Sequence, residues 1–526
     1  MKKILLSFTL LFTFITTSQT LQISDQYVFG GSANDSPRDA LVINNQTIVG
    51  GVSSSGISGD KTTSNFGDLD LWIISVDNTN SIVWQKSFGG TGLDDLVKII
   101  ETSDGNILIG GSSGSGVNGN KTSPNKGMSD FWLIKMDNQG NELWQKSYGG
   151  EDDEFLGDMV ELNDGSVLLV GGSTSPISGD KTESSFGESD AWIVKIDAQG
   201  NLLWDKTIGG NAGDALVSIA LDDNDNIYFS GSSESSISGV KTEDSFGGYD
   251  YWVLKLDQNG NILWDKTLGG SGAEFSHYLI YSDNRLFVIG HSTSDVSGTK
   301  TETSRGAIDI WIAKLNQNGE VLMDKTIGGN YFDKVTGPII TESGELVMVG
   351  TSDSDISVEV TIASHNNSAD FWILVNDTSD LSIKNQYKIG SDLGDFSPGI
   401  LEIENNSLLL YGSTEANISG DKTVPSNGGL DYWILELSTN LSTSNFQNEE
   451  SLSIYPNPTS NKFVISNLPS GESYELNILD MTGRTVLLSK VSSSNNSVDV
   501  NSLSPGMYTL HMYDGITKYT SKLIVE

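Results

Sequence analysis

Seven acidic residues recur at one fixed place in this chain, four positions beyond the second glycine of a Gly-Gly pair or the residue replacing it. They are Asp35, Asp94, Glu154, Asp214, Glu274, Asp333 and Asp395. Carboxylates in such a series have three chemistries open to them. They can hold a hard cation such as Ca²⁺, whose ligands are carboxylate and carbonyl oxygens. A pair can act as acid and base on a glycosidic bond, but acidic residues are so common here that any two would satisfy a pattern, and their separation is not legible in the sequence. The third role, which repetition favours, is to accept backbone N–H bonds from their own turn or the next repeat.

A second series is cationic: Lys61, Lys121, Lys181, Lys241, Lys300 and Lys422, each followed by threonine, with Val360-Thr361 breaking the pattern. A phosphate-binding loop would need Gly-x-x-x-x-Gly-Lys and a following helix, and both are missing. The lysines therefore either fold back on nearby carboxylates or present donors to an acidic ligand. Phe66, Phe186 and Phe246 occupy equivalent sites beside a glycine in the same loops, as loop anchors or as platforms for sugar stacking. A third series, Asp70, Asp130, Asp190, Asp250, Asp309, Asp370 and Asp431, stands two residues before a tryptophan in every repeat. A single active site needs asymmetry, so this series reads as structural, each aspartate tying a long loop to the strand that follows. Of the four histidines, His277, His291, His365 and His511, none has a repeat-wide role or metal-ligand spacing. Catalytic residues are therefore not assigned, and binding is favoured over an enzyme.

These residues are positioned by a long repeat. Trp72, Trp132, Trp192, Trp252, Trp311, Trp372 and Trp433 return at intervals of 60, 60, 60, 59, 61 and 61 residues. A period of this length marks units that bury their faces only against neighbours. In the fourth repeat the β-branched and aromatic runs predict strands over 215–221, 226–230, 250–256 and 262–268, with tight turns joining the first to the second and the third to the fourth. A loop of nearly twenty residues, 231–248, separates the two hairpins. Helical periodicity of any length is missing, so seven four-stranded units imply an all-β fold, a seven-bladed β-propeller. The last repeat stops after its third strand, and an orphan strand, Gln26 to Gly31, precedes the first. Together they complete a seventh blade and close the ring. With the N-terminal strand outermost, the strand after each Gly-Gly lines the axis. The long loops and Gly-Gly turns then share one face, the candidate binding surface, and the acidic series stands around the channel mouth. The first tryptophan series is core; the second, Trp84, Trp144, Trp204 and Trp264, gives way to Met323 and suits an outer strand.

The formal charge of −39 argues against nucleic acid or an anionic membrane as partner. Cysteine is absent, which excludes disulfides, thiolate metal sites and a cysteine nucleophile. Met1-Lys2-Lys3 and the apolar run 4–15 read as a secretory signal peptide, placed at 1–20 with cleavage between Ser18 and Gln22. No later stretch approaches the ~20 apolar residues of a spanning helix. The propeller is placed at 25–437, a polar linker at 438–450 and a separate unit at 451–526.

Gly269-Gly270-Ser271-Gly272-Ala273-Glu274, and Gly209-Gly210 with Asp214 and Asn226 to Gly231, resemble a β-propeller repeat family in which Gly-Gly, an acidic residue and Asp-x-x-Gly-Asn recur. The resemblance implies fold and is nearly silent on activity. Its long Ser-Gly-Asp-Lys-Thr loop departs from the family unit. Tyr455-Pro456-Asn457-Pro458, Met481-Thr482-Gly483-Arg484, Leu503-Ser504-Pro505-Gly506-Met507-Tyr508 and the terminal Lys522-Leu523-Ile524-Val525-Glu526 resemble the type A C-terminal sorting domain of the type IX secretion system. That resemblance implies a small β-sandwich read by the secretion machinery. It also implies a passenger that crosses the periplasm and ends extracellular or attached to the outer-membrane surface. The sequence thus suggests a secreted binding or adhesion module for a glycan or protein. The alternatives are a glycan-active hydrolase or lyase using channel-mouth carboxylates, or a structural surface component.

Overall fold

The computed structural model describes residues 20–354, 356–403, 407–440, 449–451, 453–466, 474–479, 485–492, 495–513 and 518–526. The chain forms two units, one of them Leu21–Thr439 and the other running to Glu526. Of the signal-peptide segment placed at 1–20, residues 1–19 lie outside the described residues, as does most of the proposed linker.

The first unit consists of seven four-stranded sheets, each built in chain order except the last. In the fourth repeat the strands are Asp214–Leu221, Ile227–Ser233, Asp250–Leu256 and Ile262–Leu268, so the third and fourth match the expected spans and the first two shift by one to three residues. The third strands are buried along almost their whole length, because both of their faces meet a neighbouring sheet. The seven core tryptophans sit on these strands at 0–1 % exposure. Each removes on the order of 200 Å² from water, the largest single packing contribution a residue can make. Trp84 and Trp264, on outer strands, are only half-buried; each bonds through its indole N–H to a turn of the next sheet, at Asn138 O and Gln317 O.

The seventh sheet joins the two ends of the unit. Its order places Thr20–Phe29 beside Asp431–Asn440, so the N-terminal strand is outermost and starts six residues earlier than expected. Gln26 Oε1 accepts the Trp433 indole N–H at 3.2 Å, as Gln85 does for Trp72 at 3.2 Å inside the first sheet. The seventh sheet is bonded to the first through Asp35 N–H to Leu430 O, 2.7 Å, and Tyr432 OH to Trp72 O, 3.0 Å. Residues from all seven inner strands line one axial cavity of about 470 Å³.

The second unit has a five-stranded and a three-stranded sheet. Phe463 and Ile465 of the smaller sheet share one core with Leu476, Ile478, Leu510 and Leu523 of the larger, which is the expected β-sandwich. Asn457 is bonded to the last strand through Lys522 O and the Ile524 N–H, at 2.6 and 2.8 Å. Tyr508 OH donates to Ser504 O at 2.8 Å, and Gly506 opens the strand Gly506–Tyr513. Tyr455 is exposed, with Pro456 and Pro458 beside it; Gly483 lies outside the described residues.

Candidate functional site

Each acidic residue of the ring opens an inner strand, but its carboxylate turns into the protein. All seven are 0–1 % exposed, which corrects the expectation that they surround the channel mouth. Asp35 accepts the Gly31 N–H at 2.7 Å and the Ser55 hydroxyl at 2.8 Å. Glu274 accepts the Gly270 N–H at 2.7 Å with the Ser292 and Ser294 hydroxyls at 2.8 and 2.5 Å. The pattern repeats from Gly90 to Asp94, Gly150 to Glu154, Gly210 to Asp214, Gly329 to Asp333 and Ser391 to Asp395, at 2.6–2.9 Å. Burial raises Asp35, Asp94 and Asp333 above the usual carboxylate range and brings Asp395 to about 6. Among the described residues no three His, Asp or Glu side chains converge as metal ligands.

The Asp-x-Trp series ties the long loops down. Asp190 and Asp250 accept the N–H of the residue four back, Phe186 and Phe246, both at 2.7 Å. The other carboxylate oxygen, buried without a partner, faces the first glycine of the Gly-Gly pair. A Cβ on Gly209 would stand 1.9 Å from Asp190 Oδ1, so this close approach demands glycine.

The loop lysines fold back, as one of their two readings had it, and the other reading, as donors to a ligand, is corrected. Lys61, Lys121, Lys181, Lys241, Lys300 and Lys422 are 1–2 % exposed and present nothing to a ligand. They fold back, chiefly onto hydroxyls and carbonyls. Lys61 Nζ donates to Ser53 Oγ at 2.7 Å and Ser55 O at 2.8 Å, and lies 5.9 Å from the centre of the Trp72 ring. Loss of hydration pushes all six lysines down, Lys121 to about 8. Phe186 and Phe246 are nearly half exposed, and each sits against the left-handed glycine of the next repeat's loop, Gly239 and Gly298. Phe66 meets Gly119 in the same way, so all three anchor one loop to the next.

Two features of the long-loop face escape the Lys-Thr pattern. Ile57, Val117, Ile177, Ile237, Val296, Ile356 and Ile418 occupy the same position at the tip of every long loop and are 57–68 % exposed. In five loops the neighbouring serine holds the tip, Ser238 Oγ, for example, accepting the Asn211 N–H at 2.8 Å, and in the second loop Asn118 Oδ1 accepts the Thr91 N–H at 2.6 Å. Long loop and Gly-Gly turn are in contact, as in Asp60 N–H to Gly30 O at 2.9 Å, so the tips share the face expected from the topology. Nearer the axis, the residue after the ring acid is an exposed phenylalanine in three sheets: Phe155, Phe275 and Phe396. An aliphatic at one fixed place in a Ser/Gly loop was the available signal.

The second feature is the axial cavity. Each inner strand has a bulge next to the axis, and the residue where pairing resumes differs in nearly every sheet: Asp39, Lys98, Asp158, Ser218, Tyr278, Gly337 and Gly399. Several tie one sheet to the next. Asp39 accepts the Ile99 N–H at 2.7 Å, Asp158 the Ile219 N–H at 2.9 Å and Ser218 Oγ the Leu279 N–H at 3.0 Å. Lys98 Nζ is 3.8 Å from Asp39, whose charge holds the ammonium above its usual range; burial raises Asp158. His277 and His291 pack with ring centres 4.5 Å apart. Burial lowers them to about 4 and about 3, so both are neutral at pH 7. His291 Nε2 accepts the Val335 N–H at 3.0 Å, another sheet-to-sheet tie.

Residues 453–526 match the family described as the secretion system C-terminal sorting domain. This marks the chain for type IX export to the cell surface or extracellular space. The chain is 22 % identical over 378 residues to the regulatory protein FlaEY of Caulobacter vibrioides, a match covering 66 % of this chain and 39 % of that protein. The chain thus spans well under half of that relative's length. Similar solved structures include the WD40 β-propeller domain of Doa1, 12 % identical with a TM-score of 0.44, covering 80 % of this chain and 98 % of that one. A protein of unknown function from Dyadobacter fermentans is 11 % identical with a TM-score of 0.37, covering 80 % and 99 %. A PL25 ulvan lyase is 8 % identical with a TM-score of 0.43, covering 75 % and 96 %. Among the described residues no helix is long and apolar enough to cross a membrane.

Proposed function

We propose that the propeller unit is a binding or adhesion module working at or beyond the cell surface, and that it meets a glycan or protein through its long-loop face. The observation that carries this reading is the set of seven exposed aliphatic side chains, one at each loop tip, on loops hydrogen-bonded to the Gly-Gly turns. Exposed apolar side chains kept at one position in every repeat have a use that scattered ones do not. A chain of net charge −39 repels other acidic surfaces, and apolar contacts that need no charge complementarity give it a way to hold a neutral or mixed partner. Export by the sorting domain delivers this face to where such partners are.

The test is a glycan array together with cell-surface pull-down, using the full chain and a triple variant, Ile57→Asp, Ile177→Asp and Ile237→Asp. Saturable binding by the parent, weakened at least about tenfold in the variant, supports the reading, a tenfold loss corresponding to ~1.4 kcal/mol. Equal retention of both proteins would reject the face. Release of product from a polysaccharide panel would replace the binding reading with an enzymatic one.

A further inference from the structure

The sevenfold pattern is strict in the core and fails on the axis. Where every third strand keeps its tryptophan, the inner strands place a lysine, two aspartates, a serine, a tyrosine and two glycines at one register around a cavity of about 470 Å³. That volume is in the range of small-molecule sites. Packing alone does not ask for such a set, because sheet-to-sheet ties are made as well by Ser218 as by Asp39 or Asp158.

Lys98 decides what the cavity can take. Its ammonium lies 3.8 Å from Asp39, an ion-pair distance beyond hydrogen bonding, and among the described residues its three N–H groups find no acceptor. The buried Lys61 and Lys135 contrast with it, since each donates at 2.7 Å. Asp39 accepts the Ile99 N–H and the Tyr411 hydroxyl, Asp158 accepts the Met159 and Ile219 N–H groups, and each carboxylate oxygen keeps a further lone pair. Free donors and free acceptors therefore stand side by side on the axis. A hydroxyl is donor and acceptor at once, so adjacent hydroxyls satisfy both. The wall carries Arg38 and Lys98 against Asp39 and Asp158, two charges of each sign, so a charged ligand of either sign would upset that balance. Phe155 stands two residues before Gly157 of the cavity wall and is 57 % exposed. Its apolar ring can take the face of a sugar.

We propose that the axial cavity binds a neutral sugar, with Lys98 donating to and Asp39 and Asp158 accepting from adjacent hydroxyls. This rests on the binding-module reading but uses the cavity instead of the loop tips, so each can fail alone.

The experiment is titration calorimetry on the full chain with glucose, galactose, mannose and rhamnose, and with glucuronate and glucosamine as anionic and cationic counterparts of glucose. At least one neutral sugar is expected to bind saturably, with glucuronate and glucosamine at least tenfold weaker than that sugar. Lys98→Met should weaken binding at least tenfold. Phe155→Ala, an exposed position where folding is not at stake, should weaken it several-fold, while the triple loop-tip variant should bind the sugar unchanged. The inference is overturned if none of the sugars binds, if a charged counterpart binds as tightly as the neutral sugar, or if both Lys98→Met and Phe155→Ala bind like the parent. Loss of cell-surface adhesion in the loop-tip variant with sugar binding intact would separate the two sites.

Discussion

A buried lysine in six of the seven long loops is the least expected residue in this protein, and its energetics can be tested directly. Lys241 Nζ donates to Glu243 O at 3.0 Å and to the Thr267 hydroxyl, and lies 5.8 Å from the centre of the Trp252 ring. Methionine there fills the same space and regains the cost of desolvating a charge, but strands two acceptors. Each stranded group costs ~1–3 kcal/mol, so Lys241→Met should lower stability by ~1–3 kcal/mol in denaturant titration, with no effect on the fold. Gly209→Ala should cost a similar ~1–3 kcal/mol, since its Cβ would overlap Asp190 Oδ1; a neutral result would mean the Gly-Gly turn can move away. The ring carboxylates already have N–H and hydroxyl partners. Adding a chelator should therefore leave the Tm unchanged, and a clear fall would put a cation back beside them.

At the scale of elements, the N-terminal strand carries the sharpest prediction. Gln26 accepts the Trp433 indole and the Thr423 N–H, at 3.2 and 3.1 Å, and donates to Asp421 O at 2.9 Å. Gln26→Ala removes three bonds that pin the outer strand and its loop, a loss of ~1–3 kcal/mol. Hydrogen exchange should quicken at 431–437 and not in the fourth sheet; uniform quickening would contradict a local role. Much of this architecture was legible in the chain, because tryptophans at fixed spacing, two tight turns and one long loop per repeat leave few ways to bury the apolar runs. The directions of side chains were not. Lys61 in a loop of Ser, Gly and Asp reads as a cation either folded back on carboxylates or offered to a ligand, and only the three-dimensional path of that loop over Trp72 shows that it is covered. Lys98 looked ordinary for the opposite reason. It follows an apolar run in one strand, and its isolation among Asp39, Asp158 and Ser218 exists only once seven strands meet at the axis.

For the whole molecule, the buried carboxylates set how stability depends on pH. Burial holds Asp70, Asp130, Asp395 and Asp431 at about 6 in the folded protein, against 3.8 for the free group. A carboxyl raised on folding binds its proton more tightly in the native state. Its contribution is fully present below about pH 4 and is lost as pH rises through about 6. Surface aspartates such as Asp137 and Asp257 run the other way: turn N–H and asparagine bonds lower them, so their contribution is lost only when pH falls below the ordinary carboxylate range. The two together place maximal stability near pH 5, and the Tm of the full chain should be higher at pH 5 than at pH 7.5 by roughly 5 °C. Self-repulsion of a chain with net charge −39 acts in the same direction, but salt distinguishes the causes. At 0.5 M NaCl the Debye length is only about 4–5 Å, which removes most surface repulsion and leaves buried groups unscreened. A pH effect that survives added salt and shrinks in Asp70→Asn with Asp431→Asn belongs to the loop-tying aspartates. An effect that vanishes with salt would assign it to the surface charge instead.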